Sequence, residues 1–354
     1  MRDVAREAAV SVATVSRVLN GKGPVHRDTE RRIQRIAKRL HYVPHPVARS
    51  LITRRTLTLG VLLPDLYGEF FSEVIRGIDL SARRSGYHVV VSSSHSDREE
   101  TEDMIRAMRG RVDGMIILYP GARPPTLRSN LPDRFPAVLL NNPGSRSFDS
   151  LSIDNFGGAS AMVRHLVGLG HERIAFIRGP AENRDAAERL RGYREAVRAC
   201  GVDVSESLEI PGDFRESAGY DASKRILEIR PRPSAVFAAN DSMAIGLLYA
   251  FREDGVRVPE EFAVAGFDDI PIARFITPPL TSVRVPIAAL GERATQRVLE
   301  AIGEEGRHTP RHETLPTELV IRASCGFGSG SPSRSGDDLS VKTGAFLTAK
   351  GRKA

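Results

Sequence analysis

The sequence predicts a two-part fold: a small all-α head on the helix-turn-helix plan, then an α/β body of two doubly wound units. Three observations predict it. Apolar residues recur at helical spacing over residues 3–40, and from Leu57 onward short apolar runs alternate with helical stretches. The positive charge also sits at one end. Residues 1–56 hold 13 Lys/Arg against 4 Asp/Glu, a net +9 in a chain of net +7, so residues 57–354 sum to −2. A basic head on a near-neutral body points to a polyanion held at that end.

The head reads as three short helices. The first runs from Asp3 to Ala8, with Val4, Ala5 and Ala8 inward, and breaks at Ala9-Val10-Ser11. Ser11 suits the N-cap of the second, "SVATVSRVLN", which Asn20-Gly21-Lys22-Gly23-Pro24 stops. In that helix Val15, Val18 and Leu19 face inward, while Val12, Ser16 and Asn20 face away with Ala13 and Arg17 beside them. The third runs from about Asp28 to Leu40, with Ile33, Ile36, Ala37 and Leu40 on one side. "HYVPHPVARSLITRRT", His41 to Thr56, is a linker with one potential helical turn.

The body begins with the strand "TLTLGVLLP" and a helix from Phe70 to Ser85. Then come "YHVVVSSS", a helix from Asp97 to Arg109, "DGMIILYP" and "PAVLLNN". The rhythm restarts with a helix near Gly157 to Leu169 and the strand "RIAFIRG". Helices at about Glu188–Ala199 and Ser217–Glu228, the strand "SAVFAAND", a helix at Ser242–Arg252 and the strand "EFAVAGFDD" complete the pattern. Continuous apolar strands between helices predict parallel sheets covered on both faces. Ligands of such folds sit beyond the carboxyl ends of the strands, which here carry Asp65, Asn141, Asn240 and Asp268. The Gly/Ser-rich stretch after Cys325 has no periodicity and reads as a disordered tail.

Composition narrows the function classes. A chain of 354 residues, 41% hydrophobic, suits two or three domain-sized units. No apolar run approaches the roughly 18–20 residues of a membrane span, and the charged start lacks a signal-peptide core, so a cytoplasmic location is expected. Cys200 and Cys325 are far apart and read as free thiols. The enzyme motifs G-x-G-x-x-G, G-x-x-x-x-G-K-[ST] and G-x-S-x-G are absent, and His165, His171, His308 and His312 form no metal-ligand pattern, so neither catalysis nor a metal or cofactor is expected.

The second helix has the residue types that enter a major groove. Small side chains near its start allow close approach, Arg17 can grip guanine with two hydrogen bonds, and Val12 and Ala13 offer apolar contact to a thymine methyl. Ser11, Thr14, Ser16 and Asn20 suit phosphates. By these residues alone it is either a reading helix or a plain surface helix.

The run "DVAREAAVSVATVSRVLNGKGPVHRDTERRIQRIAKRLHYVPHPVARSL" resembles the DNA-binding head of the lactose-repressor/purine-repressor family of bacterial transcription regulators. The likeness continues through "AMRGRVDG", "LSIDN", "HLVGLGHERIAFIRG", "ERLRGYREAV", "AVFAANDSMAIG", "VPEEFAVAGFDD", "TPPLTSVRVP" and "LPTELVIR", and covers residues 3 to about 323. It implies a DNA-binding domain at 1–44, a hinge helix and linker at 45–56, an effector-binding and dimerisation domain at 57–323, and a tail at 324–354. The body would then resemble a periplasmic sugar-binding protein, with a small effector between two subdomains.

What the resemblance implies is a homodimeric regulator, a repressor, on double-stranded pseudo-palindromic operator DNA. Arg17 would read a base, and Val12 and Ala13 would set specificity. Leu51 of the hinge would wedge into the minor groove, with Ala48 and Arg49 beside it. In the cleft, Arg189, Asp268, Asn240, Asn141, Asp65, Phe70 and Phe71 would hold the effector, chemistry suited to a sugar. The alternatives are a purine or other metabolite, and a sugar-binding protein that regulates nothing. Effector binding would close the cleft, shift the hinge and change operator affinity.

Some positions depart from the family pattern. Ala9 stands where Gly is usual, and an Ala there holds the turn if its φ stays negative. His26 replaces the usual Ser cap of the third helix, so Asp28 is expected to take over. His45 replaces a hinge Asn. The chain opens without the usual Thr-Ile before "DVA".

Overall fold

The computed structural model describes all residues except 20–23, 42–54, 96, 120–126, 128, 142–146, 204, 305–306, 327–338 and 343–354. The chain divides into two compact units, Met1–Leu57 with Arg111–Asp113, and Thr58–Gly110 with Gly114–Ala354.

The first unit contains three helices, α1 (Arg2–Glu7), α2 (Val12–Leu19) and α3 (Arg27–Arg39). They share one small core of Val4, Ala5, Ala8, Val15, Ile33, Ile36 and Ala37, with Val10, Val18 and Leu19 packed partly buried at its edge. Each large aliphatic fully buried there contributes about 1.5–3 kcal/mol relative to exposure. Ser11 caps α2 as expected: its Oγ accepts the Thr14 N–H at 3.1 Å.

Two local expectations fail. Ala9 adopts φ +47, the left-handed conformation, because the chain must reverse between α1 and α2 while Val10 N–H returns to the Ala5 carbonyl. A β-carbon there costs about 1–2 kcal/mol. His26, not Asp28, caps α3, with Nδ1 accepting the Asp28 N–H at 3.4 Å. An imidazole nitrogen two residues before the amide can therefore do the work of a serine hydroxyl.

The second unit has two sheets. The first is wholly parallel, in the order β11-β5-β4-β3-β1-β2. Its strands are β1 (Thr58–Leu63), β2 (His88–Ser93), β3 (Gly114–Leu118), β4 (Ala137–Leu140), β5 (Asp149–Ile153) and β11 (His312–Leu315). Helices α4 (Glu69–Arg84), α5 (Arg98–Met108) and α10 (Ile287–Gly303) pack on it.

The second sheet runs β13-β12-β10-β9-β8-β6-β7. It comprises β6 (Ile174–Ile177), β7 (Glu209–Ile210), β8 (Ala235–Ala238), β9 (Ala263–Asp268), β10 (Thr281–Arg284), β12 (Glu318–Ile321) and β13 (Leu339–Lys342). Its helices are α6 (Asn155–Gly168), α7 (Arg184–Ala199), α8 (Glu216–Glu228) and α9 (Asp241–Glu253). All its pairings are parallel except β10–β12 and β12–β13.

The expected parallel sheets are there, and each central strand is buried along its length. Glycine matters at one crossing in particular. A β-carbon on Gly192 of α7 would stand 2.5 Å from the Phe156 carbonyl, so the α6–α7 approach requires its absence. The chain leaves the first sheet after β5 and returns to it with α10 and β11, which gives three crossings between the subdomains. Ala323–Cys325 form a 3₁₀ turn. Within the stretch expected to be disordered, Leu339–Lys342 pair antiparallel with β12, an open edge strand with backbone groups to satisfy. Among the described residues, no helix is long and apolar enough to cross a membrane.

Candidate functional site: an exposed helix and a polar cleft

In the head, α2 turns Val15 into the core and leaves Ser11, Val12, Ala13 and Arg17 exposed, with Thr14 and Ser16 half-buried. Val12 is 44% exposed, an apolar side chain on a basic unit with no core function. The Ser11 and Thr14 hydroxyls lie 2.9 Å apart, so the cap also orders two oxygens on one face of the helix. Arg17, in the last turn of α2, is the helix's only basic residue. Asn20 and the hinge positions Ala48, Arg49 and Leu51 lie outside the described residues.

In the body, a cleft opens where the carboxyl ends of the two sheets face each other. Its empty space, open mouth included, is about 710 Å³. Arg189 stands at its centre, with only 4% of its surface exposed. Its position on α7 brings three partners together. Nε donates to Asn155 Oδ1 (2.8 Å), Nη1 donates to the Ala239 carbonyl (2.6 Å), and Nη2 pairs with Asp268 Oδ1 (3.0 Å). The guanidinium also lies 3.8 Å from the centre of the Phe267 ring.

Two carboxyls flank it. Burial pushes Asp268 up to about 6, against the opposing pull of Arg189. Burial likewise raises Asp185 to about 6, opposed by Arg189 and by hydrogen bonds from Asn141 and Asn155. Asn141 Nδ2 donates to Asp185 (2.7 Å) from the first subdomain, and Asn155 Nδ2 donates to it (2.8 Å) from the second. Asn141 Oδ1 is buried and, among the described residues, has no hydrogen-bond partner. Asn141 and Asp268 both hold positive φ, +57 and +112. Such backbone strain, of order 1–3 kcal/mol, is characteristic of ligand clamps.

Phe70, Phe71 and Phe214 supply apolar faces to the same cleft. Asn240 lines it too, but its carboxamide is already committed, as N-cap of α9 (from Met243 N, 3.0 Å) and as donor to the Phe214 carbonyl (2.9 Å).

Asp65 is the expected cleft residue that the structure does not place on the cleft wall. Its Oδ1 accepts the Leu66 and Tyr67 amides in a tight turn, and Oδ2 faces Arg215 at 3.4 Å. The turn directs Tyr67 and Glu69 toward the cleft instead. Tyr67 donates to Glu216 (3.1 Å), and Ile272 N donates to Glu69 (3.0 Å). With Asn141–Asp185 and Asp65–Arg215, four polar contacts thus bridge the subdomains.

Besides Tyr67 and Glu69, the sequence reading missed Asp185, Asn155 and Phe214. Asp185 sits in the first turn of α7, where an acid reads as a helix-dipole partner. Asn155 follows the Asp154 cap within "LSIDN", and Phe214 lies in an unpatterned loop at φ +73.

Comparison with known proteins gives the family. Residues 1–45 match the family described as "Bacterial regulatory proteins, lacI family", and residues 163–325 match the periplasmic binding protein-like domain. The chain is 34% identical to the ribose operon repressor of Escherichia coli (strain K12), over 92% of this chain and 99% of that protein. It is similar to the lac repressor dimer bound to operator and the anti-inducer ONPF, with a TM-score of 0.70 or better in both this case (0.81; 29% identity, 91% of this chain, 98% of that one) and the complex of the transcriptional regulator CelR with cellobiose (0.70; 32% identity, 91% and 98%). The chain belongs to the lacI family of bacterial regulatory proteins.

Proposed function

We propose that this chain is a ligand-controlled transcriptional repressor that binds operator DNA as a dimer, with a neutral sugar as the effector of its cleft. On this reading α2 enters the major groove. Arg17 reads a base, Val12 and Ala13 select the operator, and Ser11, Thr14, Ser16 and Asn20 hold phosphates. The hinge residues Ala48, Arg49 and Leu51 take the minor groove. The regulator works in the cytoplasm, where the DNA is, and carries out no catalysis.

The observation that carries the effector class is the state of Arg189. It is the one arginine among the described lining residues, and Asp268, Asn155 and the Ala239 carbonyl already occupy it. No lysine or histidine joins it among the described lining residues. Among those residues, a phosphate or carboxylate entering the cleft would meet Asp185, Asp268 and Glu69 with no cation to spare. A polyol instead shares its hydroxyls with carboxylates and with Asn141 Oδ1, and lays its apolar ring face on Phe70, Phe71 or Phe214. The ribose and cellobiose in the names of the similar proteins fit the same chemistry.

Ligand control follows from the four bridging contacts. A molecule held by both walls stabilises the closed arrangement, and coupling to the hinge converts that preference into a change of operator affinity. A thermal-shift screen with neutral sugars, sugar phosphates and nucleobases tests the reading. An uncharged sugar should stabilise the protein, and Arg189→Ala should abolish that shift. Stabilisation by sugar phosphates or nucleobases alone would overturn the sugar class.

A further inference from the structure

We infer that the outer face of α3 is a second DNA-backbone surface, which holds a duplex segment other than the one read by α2. The head's positive charge is the starting point. Of its 13 Lys/Arg, only Arg17 lies on α2, whereas six lie on α3: Arg27, Arg31, Arg32, Arg35, Lys38 and Arg39. All six are exposed. Helix α3 turns Ile33, Ile36 and Ala37 into the core it shares with α1 and α2. At 100° per residue, Arg27, Arg31, Arg35 and Lys38 fall on the opposite side, facing away from α2.

These charges do not support the head's own structure. Arg39 pairs with Glu7, but among the described residues Arg27, Arg31, Arg32, Arg35 and Lys38 have no acidic partner. The acids of the helix are engaged elsewhere: Asp28 beside His26, and Glu30 accepting from Gln34. Arg27–Arg31, Arg31–Arg35 and Arg35–Arg39 are like-charge pairs at i,i+4, which destabilise a helix. A stripe that costs the helix stability fits an external anion. From Arg27 to Lys38 it extends about 16 Å, along which a duplex presents a dense, regular row of phosphates.

Duplex DNA is the polyanion this surface fits, because α2 already tethers the protein to it. Neighbouring segments are then present at high effective concentration. A dimer so equipped joins two segments of DNA without any tetramerising element. This rests on the repressor reading only for the tether.

The test uses the full chain, loaded on an immobilised short duplex that the wild-type protein has selected from a random pool, and measures capture of a labelled, unrelated duplex. The wild type should capture it, with steep salt dependence. Arg31→Gln/Arg35→Gln/Lys38→Gln should load equally on the selected duplex but capture at least about tenfold less, with a salt slope smaller by about 2–3. Arg31→Lys/Arg35→Lys should retain capture. Unchanged capture in the glutamine variant, or no capture by wild type, would overturn the inference. So would a parallel loss of loading, which assigns the stripe to the first duplex, or equally strong competition by polyglutamate or anionic vesicles. Failure to select any duplex would instead sink the repressor reading itself.

Discussion

Arg189 Nη2 lies 3.0 Å from Asp268 Oδ1 in a pair whose side chains are only 5% and 7% exposed. It joins α7 to the end of β9, two of the elements that build the second wall of the cleft. Removing one partner of a buried pair leaves an uncompensated charge, so Arg189→Ala should lower body stability by about 3–5 kcal/mol. The effector response should vanish while binding to a selected operator persists. Denaturant unfolding and a sugar titration check both halves. An intact response would remove Arg189 from the site.

The flanking carboxyls make the stability of the body sensitive to pH. Asp185 and Asp268 titrate near 6 in the fold, above the ordinary carboxyl value, so between about pH 4 and 6 the native state binds more protons than the unfolded chain. Their contribution is present in full below pH 4 and is lost as pH rises through 6. Each carboxyl accounts for up to about 3 kcal/mol. Glu313, held low by Arg297 and Arg293, acts in the opposite sense, so the comparison must be with variants. Unfolding curves from pH 4.5 to 7.5 should show Asp185→Asn and Asp268→Asn gaining relative to wild type as pH rises. Parallel curves would contradict this.

Arg17→Ala should cost about 1–3 kcal/mol of operator affinity and leave salt-sensitive binding to random duplex largely in place. Competition binding at fixed salt measures it. Equal loss for operator and random DNA would count against base reading.

Ala9→Gly should stabilise the head by roughly 1 kcal/mol, because φ +47 costs glycine nothing sterically. Hydrogen exchange at the Val10 amide, which bonds the Ala5 carbonyl, reports it in the full chain. Faster exchange in the variant would refute the strain at Ala9.

Much of the fold was legible in the sequence because burial imposes period on it. The inward set Val4, Ala5, Ala8, Val15, Ile33, Ile36 and Ala37 follows from helical spacing, and the central strands follow from unbroken apolar runs. Strand pairing leaves no such imprint. Nothing local in "HETL" says that β11 crosses back to pair beside β5. In the cleft, Arg189, Asn141 and Asp268 were legible from motif positions, and Phe70 and Phe71 from their place after the first strand. The turn that engages Asp65 was not legible, because a residue's position after a strand does not reveal where its side chain is directed. Asp185 and Asn155 were hidden because first-turn polar residues have an ordinary helix-capping role. Only the three-dimensional meeting of α6 and α7 shows that Asn155 holds Arg189 and that Asp185 in turn holds Asn155.

On the proposed function, a ligand in the cleft governs DNA binding by the head. The most direct measurement is the Kd of the full-length protein for its selected operator, with and without a sugar that stabilises it thermally, in wild type and Arg189→Ala. Wild type should show a sugar-dependent change in Kd and the variant none, with sugar-free values similar. A sugar that stabilises the wild-type body yet leaves its operator Kd unchanged would contradict it.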